Sequence, residues 1–150
     1  MRLSEHFTLS ELTTTTHTEI DNTPTAEDLE RLRALCQDFL EPVRARFGPV
    51  YIHSGYRSRA LNDVLPGSAK RSAHMSGCAA DFHVGDGSAQ SIRQVVEWIR
   101  DESGLPFDQV IDECKGTGRW VHLGATRPGS NGPRHQVLSM RDGCYFQFGL

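Results

Sequence analysis

The sequence predicts an α+β domain: a mostly antiparallel sheet with helices packed on one side. Three observations lead there. Residues 29–47 and 92–99 carry apolar side chains in steps of three and four, the pattern of a helix with one buried stripe. Short apolar, strand-like runs stand between and after them, at 50–53, 81–84, 107–113 and 119–123. Near the end, Arg141-Asp142-Gly143 separates two further runs, and its Asp-Gly pair signals a hairpin. The order helix, strand, helix, strand, strand, hairpin suits segregated layers.

Each element has its own local cause. Thr8-x-x-Glu11 is a capping box and predicts a short helix. Residues 13–16 are four threonines, β-branched and polar, and read as loop through Asn22-Thr23-Pro24. Thr25 caps the long helix, with Asp28 placed to complement its dipole. Pro42 is expected to kink or interrupt the last turns, and Gly48-Pro49 stops them. Residues 50–53 form a strand and Ser54-Gly55-Tyr56-Arg57-Ser58 the loop leaving it. Residues 59–64 form a short helix, which Pro66-Gly67-Ser68 breaks. After a strand through Val84, Gly85-Asp86-Gly87 turns and Ser88 caps a helix whose inner face is Ile92, Val95, Val96 and Ile99 and whose end is Gly104. A strand over 107–113 ends in two acids, 115–118 turn, and 119–123 is the next strand. Residues 127–134 read as flexible, and 136–140 with 144–148 flank the final turn.

Composition limits the possibilities. The chain has 150 residues, enough for one domain spanning 1–150, with 37% apolar and 23% charged residues. A net charge of −3 argues against nucleic acid, which demands a dense basic patch. No apolar run approaches the roughly 20 residues that span a bilayer. The opening residues lack the apolar core of a secretory signal. Cys36, Cys78, Cys114 and Cys144 are widely and irregularly spaced, so free thiols are expected rather than a cysteine zinc site.

One stretch carries most of the chemistry: Ser72-Ala73-His74-Met75-Ser76-Gly77-Cys78-Ala79-Ala80-Asp81. His74 belongs on a loop that leads into a strand bearing Asp81. Imidazole and carboxylate are both zinc ligands, and Trp120-Val121-His122-Leu123 offers a third donor downstream. The expected centre is therefore catalytic Zn2+ on His74, Asp81 and His122. His53, His83 and His135 compete for the metal; His83, two positions after Asp81, shares its strand face. A hydrolytic zinc site needs a general base, and Glu113 is the candidate, with Asp112 pointing to the opposite face. Arg57 reads either as a surface arginine or as a guanidinium aimed into the site.

Taken together, Ser54-Gly55-Tyr56-Arg57-Ser58, Leu61-Asn62, Ser72-x-His74-x-x-Gly77-x-Ala79-x-Asp81 and Trp120-Val121-His122 resemble the D-Ala-D-Ala carboxypeptidase-like zinc peptidases. That superfamily includes phage endolysins cutting L-Ala-D-Glu bonds and shares its fold with the hedgehog signalling domain. The resemblance implies zinc on His74, Asp81 and His122, Glu113 as base, and substrate contacts from Arg57, Ser72 and Tyr56. It implies peptide stems of bacterial peptidoglycan as substrate. A chain made in the cytoplasm without a signal, monomeric and acting on the cell wall after release, is the matching expectation. Residues 114–119 read as an extended link between Glu113 and the strand of His122. Two other readings are a non-catalytic zinc-stabilised binding module and a tail-associated phage structural protein.

Overall fold

The computed structural model describes residues 1–149. Its helices are α1 (Leu9–Leu12), α2 (Ala26–Leu35), α3 (Glu41–Phe47), α4 (Arg59–Val64) and α5 (Ala89–Asp101). Its strands are β1 (Val50–Ser54), β2 (Ala79–Val84), β3 (Gln109–Lys115), β4 (Gly118–Gly124), β5 (Gln136–Arg141) and β6 (Cys144–Gln147). They form one sheet in the order β1-β2-β4-β3-β5-β6. β3 and β5 run parallel, and every other neighbouring pair is antiparallel. No helix among the described residues is long and apolar enough to cross a membrane.

Strand alternation gives the sheet a dry face and an open face. Ala80, Phe82 and Val84 of β2, Val110 of β3, and Val121 and Leu123 of β4 are buried in the core. They meet Leu32 and Leu35 of α2, Val43 of α3, and Ile92, Val95, Val96 and Ile99 of α5. The residues between them, Asp81, His83, Glu113, Trp120 and His122, therefore share the opposite face. Helices on one side leave that second face free for a site.

Most local expectations hold. Thr8 and Glu11 exchange both capping-box hydrogen bonds. Thr25 Oγ1 accepts from Asp28 N at 3.2 Å, and Ser88 Oγ from Ser91 N at 3.1 Å. All four cysteines are free.

Two elements differ from expectation, and a third is refined. Pro42 goes with an interruption of the regular helix, as expected, but does not end it. A π turn over Cys36–Leu40 precedes it, with Glu41 N–H donating to the Cys36 carbonyl, and α3 continues. Widening the turn there accommodates a ring that an α-helix crowds against the carbonyl four residues back. The extended link after Glu113 is instead a tight hairpin. β3 continues to Lys115, whose partner is Gly118, so only Gly116 and Thr117 turn. Residues 127–134 are irregular but tied down: Arg127 donates to the Arg71 carbonyl at 2.8 Å, and Arg134 grips Asp108 through its backbone and guanidinium.

Candidate functional site

Two strands and one turn bring the three expected ligands together. Asp81 lies opposite His122 in the β2–β4 ladder. Ala73–Ser76 forms a 3₁₀ turn that drops His74 beside them. Ser72 starts that turn, its hydroxyl accepting from His74 N at 3.2 Å. Gly77 ends it at φ 74, where a Cβ would also press on the α2 backbone. His74 Nε2 lies 3.3 Å and His122 Nδ1 2.9 Å from Asp81 Oδ1, and one donor atom from each of the three falls within 4.8 Å of the others.

The surroundings orient these donors. His74 Nδ1 donates to the Gly55 carbonyl at 2.7 Å, so its Nε2 lone pair faces the other two residues. Arg57 Nε donates to Ser54 Oγ at 3.1 Å and its second amino group approaches Asp81 Oδ2 at 3.4 Å. Asp81 thus keeps Oδ1 for the imidazoles and Oδ2 for the guanidinium. Burial alone would raise its pKa, but His74 and His122 hold it well below the usual carboxylate range. Burial lowers His74, whereas for His122 the bond to Asp81 and the charges of Asp81 and Glu113 outweigh burial and raise it. The donor set fits zinc: two imidazole nitrogens and a carboxylate, buried, with the far nitrogen of His74 already committed.

Glu113 stands beside this cluster. The hairpin pairs it with Trp120, whose indole N–H donates to Glu113 Oε2 at 3.0 Å. Glu113 Oε1 lies 3.9 Å from His122 Nδ1. Burial first, then the Asp81 charge, push its pKa above the ordinary glutamate value. Asp112 points the other way and is buried between Arg119 and Arg141.

The cluster opens into a cleft of about 910 Å³ whose lining includes Arg57, Ser72, His74, Asp81, Glu113 and His122. Its wall also carries Arg71, Lys115, Arg127, Trp120 and Tyr145. Tyr56 is the exception among the expected site residues. Its side chain lies in the core at 5% exposure, and burial and the neighbouring Asp28 carboxylate push its hydroxyl to about 12. The expected substrate contact from Tyr56 is withdrawn, because the loop turns its ring inward while Arg57 faces the cleft. The Gly55 carbonyl and the Trp120 indole are orienting groups that sequence reasoning did not identify. Glycine at 55 is the one visible hint, since a Cβ there would overlap the Leu12 carbonyl.

The family model described as Peptidase M15 matches residues 5–123. The chain belongs to the peptidase M15 family. No curated protein matches it. M15 peptidases are zinc-dependent metallopeptidases, and the His74, Asp81 and His122 cluster can hold such an ion. The M15 match contains all these residues and Glu113, and stops before β5 and β6, which add Tyr145 and Met140 to the cleft.

Proposed function

We propose that this M15 peptidase hydrolyses amide bonds in the peptide stems of bacterial peptidoglycan, with zinc held by His74, Asp81 and His122. The carrying observation is Glu113, fixed by Trp120 at 3.0 Å beside the three ligands in an open cleft. A binding module that used zinc only for stability would have no use for a half-buried carboxylate turned to the metal cluster.

Zinc held by His74, Asp81 and His122 would supply a Lewis acid and would make an attacking water more acidic. Glu113 Oε1 takes the proton from the attacking water and returns it to the leaving amine. Burial and the Asp81 charge raise its pKa above the ordinary glutamate value, which makes it a stronger proton acceptor. Arg57 holds the Asp81 carboxylate in place, and its guanidinium offers further donors to a carbonyl or carboxylate in the cleft. Ser72 keeps the turn of His74 in shape and lines the same wall.

Charge supports the substrate class. The cleft lining carries Asp81, Asp108, Glu113 and Asp142 as well as five basic residues, but Arg71, Lys115 and Arg127 stand on it beyond the Arg57–Asp81 and Arg134–Asp108 pairs. Peptidoglycan stems carry carboxylates, which guanidinium groups bind in a forked, bidentate way. A role as an endolysin, reaching the wall after release from the cell, fits this substrate.

The test is mass spectrometry of purified muropeptides after incubation with the zinc-loaded protein. The expected result is cleavage within the stem, and Glu113→Gln should retain zinc while losing on the order of 10²-fold or more in kcat. Zinc-loaded wild type that leaves every stem intact would refute the reading.

A further inference from the structure

A second chemically able pair lies on the open face, one step along β2 from Asp81. β1 and β2 pair in register from Val50↔Val84 to Ile52↔Phe82, then slip before Ser54↔Asp81. His53 falls at that irregularity, and bulges of this kind re-aim a side chain. Here His53 Nε2 lies 2.6 Å from His83 Nδ1, with the rings at 86°. Among the described residues, neither nitrogen has another hydrogen-bond partner.

The pair is held rather than loose. Tyr51 stacks on the His83 ring at 5.0 Å and 22°. On the turn side, Gly87 approaches so closely that a Cβ there would sit 3.1 Å from His83 Cδ2. Trp120 lies 6.4 Å from the His53 ring. His53 is exposed and His83 half-buried, so an ion can reach them from solvent. Neither histidine belongs to the three-residue cluster described above.

We propose that His53 and His83 form a second metal site, selective for Cu2+ and Ni2+ over ions that prefer oxygen ligands. One of the two facing nitrogens donates its hydrogen to the other; when that proton moves to the far nitrogen of its own ring, two facing lone pairs are left that a divalent ion can take. At metal–nitrogen lengths of roughly 2.0–2.1 Å two ligand nitrogens stand about 2.9–3.3 Å apart, so the rings need to part by only a few tenths of an ångström from their 2.6 Å hydrogen bond. The ion is selected by ligand type, since imidazole nitrogen suits Cu2+ and Ni2+ better than ions that prefer oxygen. Water completes the coordination on the exposed side. The site depends on these two residues and not on the zinc centre or the proposed substrate.

Zinc-loaded protein is titrated with Ni2+, and total bound metal is counted after equilibrium dialysis. Wild type should bind one equivalent more than His53→Ala or His83→Ala, and its uptake should quench the fluorescence of nearby Trp120. His53→Asn, at an exposed position, keeps the comparison valid if the His83 change disturbs the Gly87 turn. Equal stoichiometry in wild type and both His53 variants would overturn the site. So would Ni2+ uptake matched ion for ion by zinc release.

Discussion

Asp112→Ala is expected to destabilise the protein without disabling its chemistry. Asp112 is 1% exposed and accepts from Arg119 Nε at 3.0 Å, from a second Arg119 nitrogen at 2.7 Å and from Arg141 at 3.0 Å. Removing one partner of a buried ion pair costs about 3–5 kcal/mol, because the remaining charge is left uncompensated. Arg119 and Arg141 side chains are 21% and 34% exposed, so they regain some water. That places the loss near the low end, about 3 kcal/mol. For a chain of this size each kcal/mol moves Tm by roughly 2–4 °C, so a drop of about 6–12 °C is expected by calorimetry. Muropeptide turnover at 25 °C should stay near wild type, since Asp112 faces away from the cleft. The effect should also depend on pH. Burial raises the Asp112 pKa, but the two arginines outweigh it and the net direction is down. A carboxylate depressed in the folded state stabilises above its unfolded value, about 3.9, and loses that contribution as pH falls through the folded value. Wild type and Asp112→Asn should therefore differ most near neutrality and converge in acid. A variant that melts like wild type but loses turnover would refute the reasoning, because it would put Asp112 and not Glu113 in the cleft.

Three further outcomes test the site. His122→Ala should lower both zinc content and activity; a fully loaded, active variant would remove His122 from the metal. Arg57→Lys keeps the charge but not the fork, so muropeptide KM should rise or kcat fall at normal zinc content. A rise in KM alone would mean ground-state anchoring, and equal loss in kcat and kcat/KM a transition-state contact. Gly55→Ala forces a Cβ against the Leu12 carbonyl and should cost about 1–3 kcal/mol in urea unfolding, with weaker zinc retention through displacement of the His74 partner.

The short-range features were legible in the sequence because each depends on residues close in the chain. Thr8 with Glu11, Ser88 before the α5 stripe, and Asp142-Gly143 between β5 and β6 all formed where local chemistry placed them. The ordered donors His74, Asp81 and His122 could be named for the same reason: a turn, a strand and a strand alternate in ways visible from neighbours. Glu113 followed from the alternation that sets it against Asp112. Long-range pairing was another matter. Nothing local says that β5 lies parallel to β3, yet that pairing delivers Arg141 to Asp112 and seals a buried charge. Nothing local says that the register slips at His53, yet that slip aims its ring at His83. Tyr56 and Arg57 are adjacent in a loop, and only packing against α2 decided which turned inward and which faced the cleft. Local propensity acts over a few residues, whereas register and loop orientation minimise the energy of contacts between segments tens of residues apart, so they are settled only when the whole sheet assembles.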